Sequence, residues 1–293
     1  MTYYLLKGAW RLLSLIPLRV LYVLSDGVFY IVYYLGRYRR KVARKNLIES
    51  FPEKSEQEIK VIEKRFYRFF IDTIFEMCKL MSFSPQEMAQ HLHFTNMEIL
   101  NEVFRQGKSV TLYMGHYANW EWCSSLALHL DRETGAVMGQ IYKKLHNSVV
   151  DKLTIYNRER MGAICVEMNQ TLRWIDEQVK KNIPTVTCYV ADQSPRKSQI
   201  RHYVPFLHHH TPVFTGAEKI TKRYGFEAWY LDIKRIKRGY YAADLVRLHE
   251  HPQSLPDFEL TDIYYRYLEQ VVHRQPELYL WTHNRFKYVT KTV

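Results

Sequence analysis

Acidic side chains are in short supply: 30 Asp and Glu stand against 42 Lys and Arg, leaving a formal charge of +12. Such an excess points to an anionic partner: nucleic acid, acidic phospholipid headgroups, a phosphorylated substrate or an acidic carrier protein. No RNP-type or other nucleic-acid motif is present, which argues against the first. Cysteine is also sparse. Cys78, Cys123, Cys165 and Cys188 show neither paired nor metal-type spacing, so they read as scattered thiols in a reducing compartment, not as a disulfide framework. No second ligand cluster accompanies the run His208 to His210, so it reads as a solvated or substrate-facing loop, and no metal or cofactor is expected. Internal repeats and low-complexity linkers are absent as well.

A clean membrane-spanning run is also missing. Residues 3 to 35 are apolar but are interrupted by Lys7, Arg11, Pro17, Arg19 and Asp26, whereas a spanning helix needs about 20 mostly apolar residues. There is no small-residue cleavage site of the signal-peptide kind. The stretch 'GRYRRKVARKN' follows, with six basic residues from Arg37 to Lys45. A basic cluster at the end of an apolar segment favours the cytoplasmic side and attracts anionic lipid at about 1 kcal/mol per residue. Residues 1 to 36 are therefore expected to attach the chain to a membrane, lying in the interface or crossing once at an angle, with residues 37 to 293 cytoplasmic. The 23 tyrosines suit such an interface, since each keeps a polar tip wet above an apolar body. The alternative is an ordinary buried helical hairpin.

At 293 residues the chain can bury a full core. Ile59, Ile62, Phe66, Phe69, Phe70, Thr73, Ile74 and Met77 recur at helical spacing from Ser55 to Met81, and Ser55 with Glu58 forms a capping box. Two shorter helices follow, Ser84 to His91 and Met97 to Arg105. Beyond them strands alternate with helices: 'SVTLYM', 'GAVMGQIY', 'AICVEM', 'IPTVTCYV', 'FEAWYLDIKRI' and 'GYYAADLVRL' read as strands, and a helix closes the chain near Gln275. This alternation predicts an α/β fold with a mixed or parallel sheet and helices on its faces. Ligands of such sheets gather at strand ends, where both 'GHYANWE' and 'ADQS' fall.

Within 'TLYMGHYANWEW', His116 and Glu121 are five residues apart, which on one α-helix would leave them roughly 140° apart. They can meet only if His116 sits in the turn after the strand and Glu121 in the first turn of a helix capped by Asn119. A histidine so placed, with a carboxylate on its second ring nitrogen, has the parts of a general base. No Ser or Cys occupies a nucleophile elbow here, which favours an acceptor hydroxyl as nucleophile and direct transfer over a covalent intermediate.

'GHYANWEW' resembles the His-x4-Asp/Glu motif of lysophospholipid acyltransferase-like proteins, and most of all that of the late lipid A biosynthesis acyltransferases of lauroyl and myristoyl type. The similarity runs along nearly the whole chain. 'RYRRKVARKNLIESFPE' is similar to that family's basic stretch with Asn-Leu and Phe-Pro. 'YKKLHNSVVDKLTIYNRERMG' resembles its Asn-x3-Asp helix with trailing arginines, and 'ADQS' its Asp-Gln strand end. 'YVPFLHHHTPVFTG' resembles its Val-Pro-Phe loop, and 'HRQPELYLWTHNRFK' its C-terminal elements.

The resemblance implies one glycerolipid-acyltransferase-like domain on the cytoplasmic face of the inner membrane. The implied reaction moves an acyl chain from an acyl carrier protein thioester to a hydroxyl of a lipid A precursor, without a cofactor. The partners implied are the carrier protein, the lipid acceptor and anionic inner-membrane lipids. By position His116 is the base and Glu121 its orienting partner. Asp192 and Gln193 then help position the acceptor, Arg158 and Arg160 hold an oxyanion or a phosphate, and Asn119, Lys143 and Asn147 support the site. Lys143 stands where the family often has arginine, which weakens a bidentate role, and 'FLHHH' replaces the family's Phe-Phe-Gly. Two other readings stay open: an acyltransferase for another lipid, such as an aminolipid or lysophospholipid, and a non-catalytic membrane-binding protein.

Overall fold

The computed structural model describes residues 2 to 290. In chain order its helices and strands are α1 (Thr2–Leu15), α2 (Leu18–Tyr30, prolonged by a π-helical turn Ile31–Leu35), α3 (Arg40–Ser50), α4 (Glu56–Lys79), α5 (Pro85–His91), β1 (Leu92–Thr95), α6 (Met97–Arg105), β2 (Val110–Met114) and β3 (Val137–Tyr142). There follow α7 (Ser148–Glu159), β4 (Ile164–Glu167), α8 (Thr171–Lys180), β5 (Thr185–Val190), β6 (His202–Phe206), β7 (His209–Val213), α9 (Gly216–Tyr224), β8 (Glu227–Lys237), β9 (Tyr240–His249) and α10 (Glu259–Arg274). Seven strands form one sheet in the order β1-β9-β8-β2-β5-β3-β4, parallel throughout except for the β8–β9 hairpin. Helices flank it, giving the single mixed α/β domain expected.

The central strands β2 and β5 are almost continuously buried, which is why they read as unbroken apolar runs rather than alternating ones. Helix α4 starts at the Ser55–Glu58 capping box, in which Glu58 N donates to Ser55 Oγ and Ser55 N donates to Glu58. It then buries Ile59, Ile62, Phe66 and Phe69 in the core. Phe66→Ala would cost about 3–5 kcal/mol, the transfer term plus the cavity left behind.

The N-terminal hairpin is bonded into this domain. Leu21, Ser25 and Phe29 recur every four residues and face inward, while Val20, Val23, Leu24, Ile31 and Leu35 are exposed. Leu18 to Leu35 is long and apolar enough to cross a bilayer by length and composition alone. Yet its polar side is bonded to the sheet-bearing domain: Tyr22 Oη donates to Glu76 at 2.8 Å, Ser25 Oγ to Asp72 at 2.7 Å, and Asp26 accepts from Arg238 at 2.9 Å. Gly239, in the tight β8–β9 turn at φ +77°, is required twice, because a Cβ there would also lie 2.2 Å from the Tyr22 hydroxyl.

Two local expectations are corrected, and one strand was not anticipated. The stretch after Asn119 is a 3₁₀ helix, Trp122–His129, not an α-helix. Ser124 and Ser125 donate their hydroxyls to carbonyls three residues back, a pattern that suits the tighter turn. Strand β1 has only four residues and carries no long pattern to read. The loop around 'FLHHH' is a hairpin of β6 and β7, turned by Leu207 and His208 at φ 50° and 61°. Such a turn is ordinarily signalled by Asn or Gly, and neither is present.

Candidate active site

Parallel β2 and β5 are paired with Met114 level with Val190. Each chain then runs two residues past its strand, and this brings His116 and Asp192 side by side. His116 Nδ1 lies 2.6 Å from Asp192 Oδ1. The first residue past β2 must be small, since a Cβ on Gly115 would come within 2.8 Å of Leu268 of α10. Ala118, at φ 50°, then reverses the chain. Residues 116 to 118 are pinned to the C-terminal segment, with Leu280 N donating to His116 O and Ala118 N to Leu278 O, both at 3.0 Å. Asn46 of α3 clamps that segment through bonds to Trp281 O and His283 O. The stretches 'RYRRKVARKNLIESFPE' and 'HRQPELYLWTHNRFK' thus meet in one contact.

Asp192 is buried and His116 is 18% exposed, so the pair has a dry side and a reachable side. Burial alone would raise the Asp192 carboxyl, but the charge and hydrogen bond of His116 outweigh it and hold the group below its ordinary range. An ionised Asp192 accepts the Nδ1–H, which leaves the Nε2 lone pair free to take a proton. In this structure Nε2 is met by the side-chain amide nitrogen of Gln193 at 3.1 Å. The imidazole edge rests against Trp120, with ring centres 5.2 Å apart.

Glu121 is not the partner of His116. Its two oxygens accept from Arg158 Nε at 2.9 Å and Nη2 at 2.7 Å, a bidentate buried pair. Burial pushes the Glu121 carboxyl up, but Arg158 more than compensates and the group ends below its usual value, with His116 contributing less. The expectation that Glu121 orients the base is therefore corrected. Nε and Nη2 of Arg158 are thus engaged by Glu121, two of the five N–H donors expected to hold an oxyanion or phosphate.

The remaining expected residues separate into structural and exposed groups. Asn119 accepts from Trp122 N through Oδ1 and donates Nδ2 to Glu76 at 2.7 Å, so it braces the turn between His116 and the 3₁₀ helix. Asn147 caps α7, accepting from Val149 N and Val150 N. Arg160 is exposed and donates to Leu80 O. Lys143 is exposed just past β3, at the same end of the sheet as His116. Among the described residues no cluster of three or more His, Cys, Asp or Glu is placed to hold a metal. His209 stacks on Phe286 with ring centres 3.8 Å apart, and His210 Nδ1 bonds to Thr290.

Two supporting residues were not singled out from the sequence. Glu76 is fully buried and accepts from Tyr22, Asn119 and Tyr241, and burial pushes its carboxyl up. His283 Nε2 accepts from Ser194 N at 3.4 Å, and burial lowers its imidazole to about 4, so it stays neutral beside the pair. The signals were present: Asp72 and Glu76 stand four apart on the apolar side of α4, where carboxylates are rarely found unpaired.

Beside the pair lies a nearly closed apolar seam of about 10 Å³, lined by Phe66, Phe69 and Phe70 of α4 and by Trp120, Leu278 and Leu280. Trp120 is common to both. A larger cleft of about 470 Å³ lies at the start of α9, around Thr215, Lys219 and Phe258, and shares no residue with the site.

A buried carboxylate holding a partly exposed histidine at the carboxyl ends of a mostly parallel sheet has the parts of a general-base site on an α/β fold. The chain matches the family described as bacterial lipid A biosynthesis acyltransferase over residues 1–288, and it belongs to that family, a family of acyltransferases. It is 24% identical over 285 residues to the lipid A biosynthesis lauroyltransferase of Escherichia coli (strain K12), covering 96% of this chain and 89% of that one. It is 25% identical over 132 residues to lipid A biosynthesis acyltransferase 2 of Shigella flexneri, covering 44% of this chain and 41% of that one.

Proposed function

We propose that the protein transfers a fatty acyl chain from an acyl carrier protein thioester to a hydroxyl of a lipid A precursor, with His116 as general base and Asp192 as the residue that orients it. The 2.6 Å contact between His116 and Asp192 is the observation that carries this reading. The acceptor O–H gives its proton to His116 Nε2 as its oxygen attacks the thioester carbonyl. The tetrahedral intermediate collapses by breaking the C–S bond, and the imidazolium returns the proton to the departing thiolate. Asp192 stays ionised throughout and stabilises the imidazolium. Gln193 has to leave Nε2 before the acceptor binds, which frees an amide N–H next to the reacting carbonyl. The acyl chain enters between Phe66, Phe69 and Phe70 only once those rings part, since the closed seam holds about 10 Å³, and the +12 charge steers an acidic carrier to the surface.

The bonds from Tyr22, Ser25 and Asp26 favour a hairpin that lies in one leaflet of the inner membrane over a crossing helix, with the domain on the cytoplasmic side. Protease protection of tags placed before Thr2 and after Thr290 tests this: both cut from the same side supports it, and opposite sides would refute it. For the activity, labelled acyl carrier protein thioester is supplied with defined acceptors. Label in the glycolipid supports the proposal. Label only in an aminolipid or lysophospholipid replaces the acceptor, and no transfer at all removes the enzymatic reading.

A further inference from the structure

The C-terminal ends of α1 and α4 meet α7 at a junction that gathers cations without a matching anion. Arg11 donates to Met81 O and Arg160 to the adjacent Leu80 O, so two guanidinium groups rest on neighbouring carbonyls. Lys79, in the same turn, donates to Ser14 O and Ile16 O. Lys7, one turn before Arg11, sits 3.6 Å over the ring of Tyr156 of α7. Among the described residues no carboxylate forms an ion pair with any of the four. Glu87, the acidic neighbour that Lys79 feels, is engaged with Ser84 at 2.8 Å and 2.9 Å.

Helix C-termini attract cations, and that accounts for the bonds already made. It does not account for the rest. Each guanidinium has five N–H groups and uses one here on a protein partner. Arg11 and Arg160 are both exposed, so their unused donors are reachable. Like charges held this close repel unless an anion lies between them, and the planar guanidinium fork matches phosphate oxygens. The source of that anion is indicated by the surroundings: Leu5, Leu6, Leu12 and Leu15 of α1 are exposed beside the junction, an apolar border that a soluble ion does not need. Arg160 also lies two residues beyond Arg158, which holds Glu121 in the turn that carries His116.

We propose that Arg11 and Arg160, backed by Lys7 and Lys79, form a subsite for the phosphate of a membrane lipid headgroup, which during turnover is a phosphate on the acceptor itself. The role in turnover rests on the acyl-transfer reading; the binding does not. The test is co-sedimentation of the full chain with phosphatidylcholine vesicles, plain or carrying phosphatidic acid as a phosphomonoester lipid. Wild type prefers the phosphatidic acid vesicles, and Arg11→Gln with Arg160→Gln reduces that preference about tenfold, while Arg11→Lys with Arg160→Lys restores part of it. Melting curves establish that the variants fold. An unchanged preference in the Gln variant overturns the proposal, and so does abolition of the preference by inorganic phosphate at the concentration of the lipid, which would make free phosphate the ligand. In turnover, the ratio of KM for a dephosphorylated acceptor to KM for its phosphorylated form falls about tenfold in the Gln variant; an unchanged ratio removes the acceptor as the source. His116→Ala, run alongside, keeps wild-type vesicle binding, so a failure of the acyl-transfer reading appears separately as retained transfer in that variant.

Discussion

His116 Nδ1 and Asp192 Oδ1 are 2.6 Å apart across 76 residues of chain, and each belongs to the second residue beyond one of two paired parallel strands. Because the carboxylate accepts the Nδ1–H, it selects the tautomer whose Nε2 is basic. Asp192→Asn puts an amide at that position and disfavours the tautomer. A fall in kcat on the order of 10³–10⁴ is expected, by analogy with triads in which the orienting aspartate is changed to asparagine. A melting temperature close to that of wild type would show the loss to be kinetic. Asp192→Asn at near wild-type rate would remove Asp192 from the role.

Glu121 and Arg158 should behave differently. Their side chains are 7% and 13% exposed, and removing one partner strands a buried charge, at a cost of about 3–5 kcal/mol. For a domain of this size, Glu121→Leu should lower the melting temperature by roughly 10 °C, and adding Arg158→Met should recover part of it. If Glu121→Leu lost activity with its melting curve unmoved, Glu121 would be chemical rather than structural.

Glu76 gives a pH dependence of known sign. Its folded-state carboxyl is raised by burial, so on raising the pH the unfolded chain releases this proton first. The unfolded state then binds fewer protons than the native one, and stability falls as pH climbs through the interval between the unfolded value, about 4.3, and the raised native one. Denaturant unfolding of wild type and Glu76→Gln at a series of pH values measures the difference. Wild type should lose ground to the variant as pH rises, and a constant gap would contradict the buried, raised carboxyl.

Gln193 occupies the basic nitrogen with its amide at 3.1 Å, so with no acceptor bound it competes with water for His116. Gln193→Ala is expected to raise thioester hydrolysis relative to acyl transfer by several-fold, read as released acid against labelled lipid with and without acceptor. An unchanged ratio would mean that the amide does not shield the base.

Much of the fold was legible because its signals are local. The capping box at Ser55 marks the start of α4, the helix expected from Ser84 is α5, capped by Ser84, and the buried run of β2 ends at Gly115. What was missed depends on partners distant in sequence. His-x4-Glu drew attention to Glu121, a nearby carboxylate, whereas the residue on Nδ1 is set by the β2–β5 register, Met114 against Val190. Nothing between residues 116 and 121 encodes that register. The cross-chain bonds of Asn46 to Trp281 and His283, and of Glu76 to Tyr22 and Tyr241, were hidden for the same reason. The β6–β7 hairpin was missed because Leu207 and His208 take left-handed backbone angles that ordinarily call for Asn or Gly.

The most direct test of the account is the rate at which purified His116→Ala transfers a labelled acyl chain from carrier thioester to the glycolipid acceptor, measured beside wild type on protein shown by melting to be folded. Without the base that takes the acceptor's proton, a fall of at least 10²–10⁴ is predicted. Transfer at the wild-type rate would contradict the assignment of His116.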